Sequence, residues 1–289
     1  MKKPENWLLA LKENLPEEGY IDTSHGSCHY LRWGSPGQPC IIFLHGASAH
    51  AYWYSPIAYN LRHDYQILSL SFPGHGKSSW QPSYNLSQLF TYIDTLYTLA
   101  QAPCMLVGHS FGGRVSLEYL RRFPEKLVGV CVLDPPGMKL PKHVGRKKAF
   151  LRTHTIRKSQ SEILERFRLI PNQPLPDPQL CQFISENSII EDQGGWRWQF
   201  DPNFFINLDG EGFFDPHHIE CYQPVIPHHL LYGAHTTITT PLVRQSLQNL
   251  FPKLSESCTP HAWHALMLDQ PIIIAEKLQN LANIWFDKT

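Results

Sequence analysis

The chain has 289 residues, with 25 lysines and arginines against 25 aspartates and glutamates, and only 17% of its residues are charged. That balance leaves no excess positive charge for a nucleic acid, and the length suits one α/β domain with an insertion better than two independent domains. Seven cysteines, an odd number with no C-x-x-C pair, read as reduced residues of a cytoplasmic protein rather than as a disulfide scaffold.

In chain order, residues 4–15 come first as an amphipathic stretch expected to pack on the domain or on a partner. Its apolar centre, Trp7 to Leu11, is followed at once by Lys12 and Glu13, too short a run for an export signal. No run approaches the ~20 apolar residues of a membrane span. Strands are expected at residues 27–33, 41–44, 66–70, 104–107, 127–133, 229–232 and 253–257, with helix-period stretches between most of them. Such alternation makes an α/β fold, a mostly parallel central sheet with helices on both faces. The rhythm breaks over residues 137–226, which are rich in proline and aromatics, hold basic helix-like stretches at 145–158 and 161–169, and lack a strand of the sheet type. We therefore expect a core of residues 1–136 and 227–289 and an inserted, mainly helical cap over 137–226.

Chemistry gathers at strand ends. Met105-Leu106-Val107 runs into Gly108-His109-Ser110-Phe111-Gly112, a G-x-S-x-G turn between a strand and a helix. Such a turn holds its serine on strained backbone with the hydroxyl exposed above the sheet, and glycines flank it because a Cβ would clash there. Taken alone, the same segment also fits a serine that merely caps the helix. Two further strands end in the loops His45-Gly46-Ala47-Ser48 and Ser71-Phe72-Pro73-Gly74-His75-Gly76, and far downstream His264 precedes Leu268-Asp269-Gln270-Pro271 and an apolar terminal helix.

On these residues nearly the whole chain resembles the α/β-hydrolase family, which includes lipases, esterases, thioesterases and carbon-carbon bond hydrolases. The resemblance implies Ser110 as nucleophile and His264 as its base, with His261 on the same loop as competitor. It implies an oxyanion hole from the backbone amides of Ala47 and Phe111. His45, Ser48, His109 and Trp198 are candidates for the substrate pocket, His45 also as a brace for its loop. The acid departs from the family's usual pattern, because Thr236 and Thr237 stand after Gly233 where an aspartate is expected. Asp134, at the end of the preceding sheet strand, is the substitute, with a purely structural role in the Pro135-Pro136 turn as its alternative and Asp209, Glu211 and Asp215 as further candidates. Ser71 also departs, since relatives carry aspartate there.

Trp196, Trp198, Phe200, Phe204, Phe205, Phe213 and Phe214 either wall an apolar pocket or fill the cap's own core. Arg146, Lys147, Lys148, Arg152, Arg157 and Lys158 either meet a carboxylate or coenzyme A phosphate or are simply solvated. The histidine pairs 217–218 and 228–229 lack the carboxylates and spacing of a metal site, and no G-x-G-x-x-G follows an early strand, so neither metal nor cofactor is expected. The resulting expectation is a serine hydrolase that cleaves a small-molecule ester or thioester of a small to medium apolar acyl group through an acyl-enzyme. A carbon-carbon bond hydrolase with the same triad and a non-catalytic ligand-binding or scaffold protein are the alternatives, and a homodimer is left open.

Overall fold

The computed structural model describes residues 1, 3–137, 153, 155–210 and 221–287. In chain order the strands are β1 (Glu17–Thr23), β2 (Gly26–Trp33), β3 (Cys40–Leu44), β4 (Gln66–Leu70), β5 (Cys104–His109), β6 (Gly129–Leu133), β7 (Ile189–Asp192), β8 (Gly195–Trp198), β9 (His228–Gly233) and β10 (Ser255–Thr259). Eight of them form one sheet in the order β1-β2-β4-β3-β5-β6-β9-β10. Pairing is parallel from β4 to β10 and antiparallel at the β1–β2 and β2–β4 edge.

The centre of this sheet follows from its composition. Every residue of β3, β4, β5 and β6 is buried, as expected of parallel strands covered on both faces. Alternation then sorts their side chains into two cores. Ile42 and Leu44 join the cluster around helices α3 (Leu86–Ala100) and α4 (Phe111–Arg122), whereas Ile41 and Phe43 join the cluster on the opposite face. That second face also receives the N-terminal helix, α1 (Trp7–Glu13), whose Trp7 and Leu11 are buried and whose Trp7 amide donates to Gln179 Oε1 at 2.7 Å.

Two strands and one helix differ from the sequence expectation. β1 is unforetold because Glu17, Glu18, Gly19 and Asp22 disfavour strand, and only Ile21 is buried; the segment is extended because its whole length pairs with β2. β10 is shifted two residues toward the C-terminus of the expected 253–257 and is half-exposed, so hydrophobic pattern marks it poorly. Inside the insertion, the stretch 161–169 is helical only over Gln160–Leu164, while of 145–158 only residues 153 and 155–158 are described.

The insertion also contains an antiparallel ribbon, β7 with β8, separate from the main sheet. Its two-residue turn places Gln193 at φ 50° and Gly194 at φ 75°. A type I′ hairpin turn needs positive φ at both positions, and Gln-Gly is a weaker signal for it than Asn-Gly. The described residues between 160 and 208 share both cores of the sheet. Phe167, Leu169, Leu180 and Phe183 belong to the same core as Trp7 and Ile41, and Phe204 belongs to the other. Tyr84 donates from its hydroxyl to Asp201 at 2.8 Å, and the Asp201 amide donates to the Gly74 carbonyl at 2.7 Å, so the insertion is tied to loops above the sheet. The rings of this segment therefore pack into the body as well as above it.

Candidate active site

β5 ends at His109, and α4 begins at Phe111, with Ser110 between them at φ 50° and ψ −117°. A non-glycine residue there carries strain that the surroundings must hold. The Ser110 amide donates to the Leu133 carbonyl at 2.9 Å, and its carbonyl accepts from the Arg114 amide at 3.0 Å. Room for the turn comes from its glycines: a Cβ on Gly108 would lie 2.3 Å from the Gly112 carbonyl oxygen, and one on Gly112 would lie 2.2 Å from that of Leu44. The Ser110 side chain makes no capping hydrogen bond to α4, so the helix-cap reading fails.

Its hydroxyl instead lies 3.1 Å from His264 Nε2. The other ring nitrogen, Nδ1, is 2.6 Å from Asp134 Oδ2. Because a carboxylate only accepts, His264 Nδ1–H is the donor, leaving Nε2 to accept from the serine hydroxyl. Asp134 is fully buried, with φ 47°, at the end of β6. Its carboxylate also accepts from the Thr236 hydroxyl at 2.6 Å and the Gly233 amide at 3.4 Å. Thr236, standing where an aspartate is expected, thus donates to Asp134, the carboxylate that contacts His264. His261, the competing base, is exposed, and Asp209 lies in a segment whose amide pairs with the Tyr84 carbonyl; Glu211 and Asp215 fall outside the described residues.

The loop carrying His264 is gripped at three consecutive residues. The Trp263 amide donates to Asp269 Oδ2 at 2.8 Å, the His264 carbonyl accepts from His109 Nε2 at 2.9 Å, and the Ala265 amide donates to Gln173 Oε1 at 3.0 Å. The Gln173 side-chain amide in turn donates to both Asp269 oxygens, at 3.1 and 3.2 Å. Burial pushes the Asp269 carboxyl up, opposed by its bonds from Trp263 and Gln173. Burial, and then the neighbouring His264, hold His109 well below the usual imidazole range, so its ring is neutral. Gln173 escaped the sequence reading because a lone glutamine in a proline-rich segment carries no signal. Replacing it with alanine strands the buried Ala265 amide, an expected loss of about 1–3 kcal/mol in stability. Loosening the base should also lower kcat by roughly tenfold to a hundredfold with little change in KM. An unchanged kcat with a lowered melting temperature would restrict Gln173 to a structural role.

A cavity of about 160 Å³ opens over Ser110 and His264, lined also by Ala47, Ser48, His109, Leu169 and Phe205. His45 is not on it. Its Nδ1–H donates to the Gly46 carbonyl at 2.7 Å and its Nε2 accepts from the Phe72 amide at 2.9 Å, which occupies the ring in bracing two loops. Phe111 starts α4 directly after the serine, and Ala47 lines the cavity. Trp198 lines a neighbouring cavity of about 170 Å³ that shares Ala47, Ser48, Trp53 and Ile170 with the first. Ser71, the other departure, accepts from the Ala51 amide at 3.1 Å and so ties its loop to the segment after His50.

Outside this centre, His228 Nδ1 lies 3.1 Å from the Ile226 carbonyl, and the two nitrogens of His229 lie 2.7 and 2.9 Å from the hydroxyls of Ser255 and Ser257. Among the described residues no group of three metal-ligating side chains converges, and no helix is long and apolar enough to cross a membrane. His217 and His218 lie outside the described residues, as do Arg146, Lys147, Lys148, Arg152, Phe213 and Phe214, whereas Arg157 pairs with Glu162 at 3.2 Å.

The pattern characteristic of the alpha/beta hydrolase family matches residues 41–277, and the chain belongs to that family. Over 251 residues it is 24% identical to the sn-1-specific diacylglycerol lipase ABHD11 of Mus musculus, covering 82% of this chain and 79% of that protein. Among solved structures it superposes on a thioesterase domain from the curacin biosynthetic pathway with a TM-score of 0.75 at 19% identity, covering 92% of this chain and 100% of that one. A similar likeness, TM-score 0.74 at 20% identity over 98% of this chain and 100% of the other, relates it to the esterase Rv0045c of Mycobacterium tuberculosis. The structural likenesses establish the fold, and the family match over residues 41–277 establishes membership in the alpha/beta hydrolase family.

Proposed function

We propose that the protein is a serine hydrolase that cleaves an ester or thioester of a small to medium apolar acyl group through an acyl-enzyme. The observation that carries this reading is the unbroken relay from Ser110 Oγ through His264 to the buried Asp134, at 3.1 and 2.6 Å. Ser110 Oγ attacks the acyl carbonyl while His264 Nε2 takes its proton. Asp134 holds the imidazole in the Nδ1–H tautomer and stabilises the imidazolium as it forms. The amides of Ala47 and Phe111 receive the developing oxyanion. His264 then returns its proton to the leaving alkoxide or thiolate, and a water molecule repeats the sequence to release the acid and free serine. The carboxylate missing after Gly233 was the best argument for a non-catalytic protein, and Asp134 with its Thr236 bond weakens that argument.

The acyl preference follows from the walls beside the serine, where Leu169, Ile170, Phe205 and Ala265 are apolar. Each buried methylene contributes about 0.8 kcal/mol, close to fourfold. Across p-nitrophenyl esters from acetate to palmitate, catalytic efficiency is expected to climb over the first several carbons, peak and fall. A flat series, or one highest at acetate, would remove the apolar-pocket assignment. Trp198→Ala is expected to act on the far end of the series only, since its ring lines the second cavity rather than the one holding Ser110.

A further inference from the structure

The second cavity has a chemistry of its own. Its walls include Trp53, Ile170 and Trp198, and two arginines, Arg166 and Arg168, stand at it on the turn that follows helix α5 (Gln160–Leu164). Of the uncharged polar groups there, those of His50, Ser188 and Gln199 make hydrogen bonds, whereas the buried Trp53 Nε1–H has no partner among the described residues. His50 Nε2 lies 2.7 Å from the Ser188 hydroxyl, which donates to the Ile184 carbonyl at 2.6 Å, and the Gln199 side-chain amide donates to the Ile189 carbonyl at 2.6 Å. Burial, with His29, His75 and Lys77 adding to it, drives the His50 pKa down to about 3, so its ring is neutral and supplies no charge.

The arginines are different. Arg168 donates to the carbonyls of Glu165 and Phe167, at 3.0 and 2.6 Å, and has no carboxylate partner among the described residues. Nearby Glu162 is committed to Arg157. Arg166 contributes no side-chain hydrogen bond or ion pair among the described residues; only its backbone amide is engaged, donating to the Ile163 carbonyl at 3.0 Å. Two exposed arginines, without acid partners among the described residues, thus border a cavity that meets the serine cavity along Ala47, Ser48, Trp53 and Ile170.

We propose that this second cavity is an anion subsite in which Arg166 and Arg168 receive a carboxylate on the distal end of the substrate. The link to turnover rests on the ester-cleaving reading of Ser110. A planar guanidinium matches a carboxylate fork, and charge-assisted bonds of this kind are stronger than neutral ones. Apolar walls suit an aliphatic stem, and the guanidinium, itself weakly hydrated, can receive the single charge at its end. The substrate class is therefore an ester or thioester whose other end is a free acid, its apolar middle crossing the shared wall.

The test compares mono-4-nitrophenyl adipate with methyl 4-nitrophenyl adipate, which share the nitrophenyl leaving group, the carbonyl beside it and the chain and differ at the distal end, a carboxylate against its neutral methyl ester; release of nitrophenol reads only the shared ester. The wild-type protein is expected to favour the free acid by about tenfold in kcat/KM at low salt, and the preference should shrink at high ionic strength. In the Arg166→Met, Arg168→Met protein the ratio of the two efficiencies should fall to about one, while Arg166→Lys, Arg168→Lys should retain part of it. A wild-type ratio near one, or a ratio that survives the double methionine variant, overturns the subsite. Calorimetric titration of Ser110→Ala protein with monomethyl adipate separates this from failure of the catalytic reading. If neither ester is cleaved but binding is seen and vanishes with both arginines, the subsite stands and the catalytic reading falls. If the titration shows no binding, the subsite is overturned.

Discussion

Alanine at position 110 is expected to lower turnover of any ester substrate by about a millionfold, the scale on which loss of a triad nucleophile acts elsewhere. The fold should survive, because the Ser110 side chain makes no capping bond and the backbone bonds to Leu133 and Arg114 do not involve it. Relief of crowding at the strained turn is too small to disturb a sheet whose central strands are buried throughout. The companion measurement is chemical. A fluorophosphonate should add one phosphonyl group at Ser110 Oγ with loss of fluoride, detected by mass, and the adduct should be absent from Ser110→Ala and strongly slowed in His264→Ala. Failure of the folded wild-type protein to label would end the serine-hydrolase proposal.

Asp134→Asn should lower kcat by about ten-thousandfold, as loss of a triad carboxylate does where geometry is kept. An asparagine amide facing His264 Nδ1 favours the tautomer with the proton on Nε2, so the imidazole can no longer accept from the serine. Thr236 makes the experiment sharper. Its hydroxyl donates to the same Asp134 oxygen that His264 contacts, at 2.6 Å in both cases, so Thr236→Val removes one of two donors while leaving the carboxylate in place. That variant is expected to retain most of its turnover and to lose about 1–3 kcal/mol of stability, since the Ile238 and Thr239 amides lose their acceptor as well. Near-normal kcat in Asp134→Asn would leave a Ser110–His264 dyad as the working unit.

Much of the frame was legible because its signals are local. Strand runs such as Cys40-Ile41-Ile42-Phe43-Leu44 are apolar throughout, and the glycines flanking Ser110 announce a turn that no larger residue could make. The preference for His264 over His261 rested on spacing to Asp269 and Pro271, and the same Asp269 bonds to the amide of Trp263 beside it. What escaped notice depends on contacts across long separations. β1 exists because β2 pairs with it, the β7–β8 ribbon turns on a glutamine in an uncommon conformation, and Gln173 reaches a loop 92 residues away in sequence. Arg166 and Arg168 gain meaning only once the chain folds over its own serine loop; a linear scan weights the denser basic run at 146–158 instead.

Specificity in such folds invites exchange of the inserted segment between homologues as a ready-made part. Here that exchange would carry off Gln173, and with it the acceptor for the Ala265 amide and two of the bonds on Asp269. A chimaera joined at the ends of the insertion would bring in a new pocket roof and at the same time unfasten the base beneath it. The serviceable seam lies inside the insertion, after Gln173, so that the glutamine stays with the body whose histidine it steadies.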